Sequence, residues 1–147
     1  SSTRIRAAIA EGQLDYAGQM LGREYTLAGK VIQGDQRGRT LGFPTANLDA
    51  ADRCLPPNGV YAAHVESPMG QHRAAVNIGH RPTLAGPEPG LTVEAHLLDF
   101  DGDLYGKELH LTFVGKLREE QAFESVDELK VQIEKDLTAA RVLFTRL

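Results

Sequence analysis

Apolar and polar residues alternate with a period of two through most of the chain after Glu24, which indicates β-strands with one face toward a core. The pattern predicts six strands, at about residues 25–32, 45–48, 59–67, 73–78, 91–100 and 108–117. Turn sequences rich in glycine and proline separate several of them, and the chain has no alternation of strands with helices in its middle. Six short strands with tight connections favour an antiparallel barrel or sandwich.

Both ends of the chain follow a helical pattern instead. After the candidate cap Ser125, apolar residues recur every three or four positions as far as Phe144, which predicts one amphipathic helix packed on the barrel. Residues 1–22 predict two short helices that end near Gly12 and Gly22. A chain that opens directly on a cap sequence looks like part of something longer.

Composition narrows the class of protein. The 147 residues fit one domain, and 41% hydrophobic with 24% charged residues is typical of a soluble globular protein. No apolar run approaches the roughly 18 residues that span a bilayer, so we expect no membrane partner. The net charge of −4 argues against a nucleic-acid partner. The single cysteine, Cys54, has no disulfide partner, and a reducing cytoplasm is the simplest compartment.

Residues 29–47 combine glycines with basic side chains in a way that suits phosphate. Glycines let backbone N–H groups approach an anion closely, and arginine and lysine match its charge. The residues concerned are Gly29, Gly34, Gly38, Gly42, Lys30, Arg37 and Arg39. The same composition also fits an ordinary glycine-rich hairpin with surface arginines.

Two neutral oxygen donors follow this loop. Pro44 fixes φ and favours extended backbone, and in a strand Thr45 and Asn47 point to the same side. Such a pair beside a phosphate cradle suits a magnesium ion that takes its remaining ligands from water and phosphate.

One carboxylate stands out in the fifth predicted strand. Leu91, Val93, Ala95 and Leu97 share one face, so Glu94, His96 and Leu98 lie on the other. A solvated outer face is one interpretation of this arrangement. If the face looks toward the glycine-rich loop, Glu94 can instead accept the proton of an attacking hydroxyl during phosphoryl transfer. We expect His96 to be a structural histidine.

Common catalytic motifs are missing from the chain. It has no GxxxxGK[ST] loop, no kinase HRD or DFG set, no GxSxG and no HExxH. A nucleotide-dependent activity therefore requires a less common scaffold.

Several ordered segments together resemble the riboflavin kinase family. They are LGFPTANL at 41–48, PPNGVYA at 56–62, NIGHRPT at 77–83, VEAHLLDFDGDLYG at 93–106 and LREEQAFESVDEL at 117–129. The resemblance is narrower still to the kinase module of the bacterial bifunctional enzymes that also carry FMN adenylyltransferase. It implies a six-stranded antiparallel Greek-key barrel with a C-terminal helix. Because the opening SSTRIR resembles the last motif of the adenylyltransferase half, it also implies a remnant with linker helices at 1–22 and a kinase domain at 23–147.

The resemblance also implies roles for individual residues. Glu94 matches the catalytic base, and Thr45 and Asn47 match the magnesium ligands. Arg118 and Glu128 match positions that bind flavin. The positions implied for ATP binding are Gly34, Gly38, Arg39, Leu97, Asp99 and Tyr105.

The implied reaction is phosphorylation of the riboflavin 5′-hydroxyl by ATP with magnesium, which gives FMN and ADP. The chain alone is not expected to make FAD. A non-catalytic flavin-binding or regulatory module on a similar barrel is the alternative. An oligonucleotide-binding barrel is a weaker one, because only 6% of residues are aromatic and the net charge is negative.

Overall fold

The computed structural model describes residues 26–32, 45–49, 55–80, 91–100 and 102–146. Its elements are β1 (Thr26–Ile32), β2 (Thr45–Asp49), β3 (Gly59–Ser67), β4 (Gly70–His80), β5 (Leu91–Leu97), β6 (Glu108–Arg118) and α1 (Val126–Thr145). All neighbouring strands are antiparallel, and they close into a barrel in the order β1-β2-β5-β4-β3-β6.

The predicted fold class, a mainly β six-stranded antiparallel barrel with a C-terminal helix, is confirmed. Two strand predictions were inaccurate at their ends. β4 begins three residues earlier than predicted, and β5 ends three residues earlier because Asp99 adopts a positive φ of 54° in the turn that follows. The helices predicted for residues 1–22 lie outside the described residues. Among the described residues, no helix combines the length and the apolarity needed to cross a membrane.

The barrel interior is filled by alternate residues of all six strands. Alanines at 46, 63, 74 and 95 leave room for the rings of Tyr61 and Phe113, which meet edge to face with centroids 5.5 Å apart. Mixing small and large side chains in this way fills a small barrel without voids. The Tyr61 hydroxyl donates to the Pro57 carbonyl at 2.6 Å, and burial raises the pKa of Tyr61 to about 12.

Helix α1 packs on the outside of β3 and β4. Its buried residues, Ile133, Asp136, Ala140 and Phe144, recur at steps of three or four and form one stripe. Ala140 and Phe144 pack on an apolar outer patch made of Val60, Ala62, Ala75 and Leu98. The helix begins at the predicted cap, because the Ser125 hydroxyl accepts from the Glu128 N–H at 3.1 Å.

Strand register brings two connections to one end of the barrel, which we call the glycine-loop end. β1 ends at Ile32 and β2 begins at Thr45 on this end, next to the C-terminal end of β5. The segment 98–107, which joins β5 to β6, is tied to the same place by two backbone hydrogen bonds. Val31 N–H donates to the Lys107 carbonyl at 2.8 Å, and Gly106 N–H donates to the Val31 carbonyl at 3.0 Å.

Two arginine–carboxylate forks hold α1 to the barrel, and they differ in exposure. Arg118 on β6 donates to both oxygens of Asp136 at 2.7 and 2.9 Å, with side chains only 18% and 10% exposed. Arg141 donates to both oxygens of Asp99 at 2.8 Å, but these side chains are 51% and 75% exposed. The hydrogen bonds from Arg141 lower the pKa of Asp99. Only the first fork is shielded from water.

Asp136→Asn should therefore destabilise the protein far more than Asp99→Asn. Removing one partner of a shielded ion pair leaves a buried unpaired charge, and we expect a loss of about 3 kcal/mol in the free energy of unfolding. The exposed fork should contribute at most about 1 kcal/mol, and asparagine tolerates the positive φ of residue 99. Urea unfolding followed by circular dichroism measures both changes. Equal losses from the two variants would show that the Arg118–Asp136 fork does not anchor the helix.

Candidate functional site

A row of polar side chains runs across the outer face of β2, β5 and β4. Asn47 and Asn77 pair with Glu94 from its two sides, and Thr45 pairs with His96. Directly opposed residues of antiparallel strands point to the same face. Thr45, Asn47, Asn77, Glu94 and His96 therefore form one surface, which we call the polar strip.

The predicted facing of β5 is confirmed, because Val93, Ala95 and Leu97 lie in the barrel interior. The outward residues are nevertheless not fully solvated. The Glu94 side chain is 20% exposed and that of His96 is 9% exposed. The polar strip thus begins directly at the glycine-loop end and holds its carboxylate in a half-buried position.

His96 contacts two of the other members of the polar strip. Its Nδ1 lies 3.3 Å from the Thr45 hydroxyl oxygen, and its Nε2 lies 4.0 Å from Oε2 of Glu94. Burial lowers the pKa of His96 to about 4, although the charge of Asp136 opposes the shift. The ring is therefore neutral at pH 7, and its approach to Glu94 is a polar contact and not an ion pair.

The donor chemistry at Thr45 and Asn47 fits magnesium. A hydroxyl and an amide oxygen on one half-buried face are hard oxygen ligands, the type that this ion prefers. The carboxylate of Glu94 lies on the neighbouring strand, directly opposite Asn47. These two neutral residues would hold the ion beside the carboxylate.

The residues implied for ATP binding divide into two groups. Leu97, Asp99 and Tyr105 all lie at the glycine-loop end, where the Leu97 side chain packs in the barrel core and Tyr105 is exposed. The Asp99 carboxylate is already held by Arg141. Gly34, Gly38 and Arg39 lie outside the described residues, so their role stays a prediction.

Arg118 and Glu128, the residues implied for flavin binding, have structural contacts. Arg118 also donates to the Glu119 carbonyl at 2.9 Å and lies 5.9 Å from the centroid of the Phe123 ring. Glu128 accepts from the Glu124 N–H at 3.0 Å and so helps to cap α1. Their contacts with flavin stay predictions.

The connection between β6 and α1 borders the far end of the polar strip. Gly79 is two residues beyond Asn77 on the same face of β4, and a Cβ added there would lie 3.0 Å from the Glu120 carboxylate. The glycine-loop end and the segment that follows Arg118 therefore lie at opposite ends of the polar strip, with Glu94 between them.

A model of the family described as flavokinase, riboflavin kinase, matches residues 21–144. The chain belongs to the riboflavin kinase family. The bifunctional riboflavin kinase/FMN adenylyltransferase of Pseudomonas fluorescens is 45% identical over 143 residues, covering 97% of this chain and 46% of that protein. The protein of the same description from Escherichia coli strain K12 is 44% identical over 148 residues, covering 98% and 46%. The chain spans about half the length of these curated relatives.

A solved structure from Streptococcus pneumoniae, described as a macrolide-efflux protein, also resembles this riboflavin kinase family member. The TM-score is 0.81 and the sequence identity is 39%, with 96% of this chain and 46% of that chain covered. The similarity extends over the barrel and the helix together.

Two residues near the site were missed from sequence. Asn77 lies in the NIGHRPT segment, but only the register of β4 on β5 shows that it pairs with Glu94. Asp136 occupies a buried position between Ile133 and Ala140 in the apolar stripe of α1. An acidic residue inside that stripe was a signal that a buried partner, Arg118, had to exist.

Asn47→Asp tests the candidate metal site, and Asn77→Asp is its matched control. Both changes add a carboxylate beside Glu94, but only residue 47 also lies two positions from Thr45 on β2. We expect Asn47→Asp to tighten magnesium binding to the ligand-free protein and to weaken ATP binding through charge repulsion. Titration calorimetry with magnesium alone and with ATP measures both effects. If the two variants bound free magnesium equally, residue 47 would not be a metal ligand.

Proposed function

We propose that this chain transfers the γ-phosphoryl group of ATP to the 5′-hydroxyl of riboflavin and so makes FMN and ADP. Membership of the riboflavin kinase family supports the acceptor and the reaction class. The single observation that supports the assignment of residues is the pairing of Asn47 with Glu94 on one half-buried face beside Thr45. Phosphoryl transfer depends mostly on positioning and charge neutralisation, and this face provides groups for both.

In this proposal ATP occupies the glycine-loop end. Backbone N–H groups of Gly34 and Gly38, with Arg39, hold the phosphates, and Leu97, Asp99 and Tyr105 surround the rest of the nucleotide. Thr45 and Asn47 would hold the magnesium ion beside the phosphates. A bound magnesium ion would neutralise phosphate charge and orient the γ-phosphoryl group for in-line attack.

Glu94 acts as the general base. Its carboxylate accepts the proton of the 5′-hydroxyl while the hydroxyl oxygen forms a bond to the γ-phosphorus and the bond to the ADP oxygen breaks. The neutral neighbours Asn47 and Asn77 leave Glu94 as the one carboxylate among the five residues of the polar strip.

Riboflavin lies along the polar strip, with its 5′-hydroxyl at Glu94 and its ring system toward the segment that follows Arg118. Arg118 contacts the flavin through N–H groups outside its fork with Asp136, and Glu128 contributes from the first turn of α1. The length of the polar strip supports this arrangement, because it separates the two ligand ends while keeping Glu94 within reach of both.

The larger protein context is also part of the proposal. Residues 1–22 belong to the end of an FMN adenylyltransferase half and its linker, and residues 23–147 form the kinase domain. FAD synthesis then requires the adenylyltransferase half, and the partners of this domain are the small molecules ATP, ADP, riboflavin and FMN. We propose that the protein acts in the cytoplasm, where these metabolites are available.

The direct test is incubation of the purified chain with riboflavin, ATP and magnesium, followed by chromatography for FMN and ADP. Formation of both in equal amounts, dependent on magnesium, is the expected result. Tight binding of riboflavin without any FMN would favour the alternative, a non-catalytic flavin-binding module.

Glu94→Gln should lower turnover by roughly 10²–10⁴-fold, because the amide keeps the size of the side chain but removes the base. Nucleotide affinity should change little. Glu66→Gln is the matched control, since Glu66 is an exposed residue on the outer face of β3 and lies outside the polar strip. Steady-state kinetics and calorimetry with ADP measure the two properties. Normal turnover by the folded Glu94→Gln protein would remove Glu94 from the role of base.

A further inference from the structure

His96 lies between the two groups that the proposed function uses for metal binding and for proton transfer. Its Nδ1 is 3.3 Å from the Thr45 hydroxyl oxygen, and its Nε2 is 4.0 Å from Oε2 of Glu94. We propose that His96 is a positioning residue. Its Nε2–H tautomer turns the lone pairs of the Thr45 hydroxyl oxygen toward the metal site and steadies the Glu94 carboxylate. This inference rests on the proposed function.

The tautomer follows from the two neighbours of the ring. A neutral imidazole carries one N–H, so one ring nitrogen donates and the other accepts. An ionised carboxylate only accepts hydrogen bonds, and its negative charge therefore favours a proton on the nitrogen that faces Glu94. Nε2 is then the donor and Nδ1 the acceptor. The Thr45 hydroxyl consequently donates its proton to Nδ1.

This direction of donation decides what Thr45 can offer a cation. When the hydroxyl proton points at Nδ1, the ring uses neither lone pair of the hydroxyl oxygen. With the opposite tautomer, the ring N–H would point at the hydroxyl oxygen and compete with the metal for a lone pair. The Nε2–H tautomer therefore prepares Thr45 as a ligand before any ion binds.

The second contact acts on the base. At 4.0 Å the Nε2 and Oε2 atoms are beyond hydrogen-bond distance, but catalytic hydrogen bonds are often long without substrate and shorten in the complex. An N–H donated to Glu94 engages only one of its two carboxylate oxygens. It also holds the carboxylate without transferring a proton to it.

The surroundings of His96 keep the ring in one place. Its Cα partners are Thr45 on β2 and Ala75 on β4, and its side chain is only 9% exposed. The charge of Asp136, on the buried face of α1, also acts on the ring. A rigid and largely dehydrated imidazole can transmit orientation from one neighbour to the other, which a mobile surface histidine cannot.

The wild-type protein provides the first test, because imidazole ¹⁵N chemical shifts distinguish the two neutral tautomers. We expect His96 at pH 7 to be protonated on Nε2 and unprotonated on Nδ1. A His96 ring protonated on Nδ1 would overturn the proposal, and this measurement requires no variant to fold.

Two isosteric variants then separate the two contacts. The amide of His96→Asn falls near the position of Nδ1, whereas that of His96→Gln falls near the position of Nε2. Losing the partner of a metal ligand costs roughly 10–100-fold in metal affinity. In His96→Gln, the factor by which magnesium tightens ADP binding should therefore fall by roughly 10–100-fold. His96→Asn should keep the enhancement to within about threefold of wild type and lose kcat at saturating MgATP instead.

Calorimetry with ADP, with and without magnesium, is the readout for Thr45, and kcat is the readout for Glu94. His110→Gln is the control, since His110 is an exposed residue of β6 outside the polar strip and should match wild type in both. A merely structural His96 predicts equal effects of the two variants on both readouts, and that result would overturn the proposal. If the wild-type chain made no FMN, the proposed function would fail, while the tautomer and the calorimetry would still decide the role of His96.

Discussion

Closure of the barrel is the constraint on which the site depends. Every strand of a closed barrel must place one set of side chains inside and the next set outside, so a slip of one residue would exchange the two. In β5 that exchange would bury the Glu94 carboxylate in the core and expose Val93 and Ala95. The cost of burying that charge disfavours the one-residue slip. In the observed register, Asn47, Glu94 and Asn77 align across three strands.

The position of α1 then determines which part of the outer surface remains available. The helix covers the region where the outer residues of β3 and β4 are apolar, among them Val60, Ala62 and Ala75. The outer residues of β2 and β5 are polar and offer the helix no apolar patch. Part of this polar face therefore stays outside the area that the helix covers. The shielded fork between Arg118 and Asp136 holds the middle of α1 to β6, and the charge of Asp136 acts on His96.

Local pattern was sufficient to predict much of the fold. Period-two alternation predicted all six strands, and the capped apolar stripe predicted α1. The outward facing of Glu94 and His96 followed from the same alternation. The errors at the ends of β4 and β5 arose where the alternation was weak, at Gly70–His72, and where a positive φ at Asp99 ended the strand.

Spatial neighbours that are distant in sequence could not be predicted in this way. β5 lies between β2 and β4, so the pairing of Glu94 with Asn47 and Asn77 depends on a strand order that no local pattern contains. Likewise, the resemblance to riboflavin kinases implied flavin-binding roles for Arg118 and Glu128, but their structural contacts depend on where the segment before α1 folds back. Residues 33–44, between β1 and β2, lie outside the described residues, so the phosphate-binding role that their sequence suggests stays a prediction.

The charges of the polar strip explain why neutral ligands suit the proposed metal site. A general base and a metal ligand must lie close together, yet a base that binds the metal loses its ability to accept a proton. Two carboxylates about 5 Å apart at an effective dielectric constant of about 20 would repel each other by about 3 kcal/mol, and that repulsion would favour protonation of one of them. An amide at Asn47 and a hydroxyl at Thr45 avoid this conflict, since they offer oxygen without charge. In the proposed function, the negative charge that attracts the ion comes from the triphosphate, and Glu94 serves as the base and not as a metal ligand.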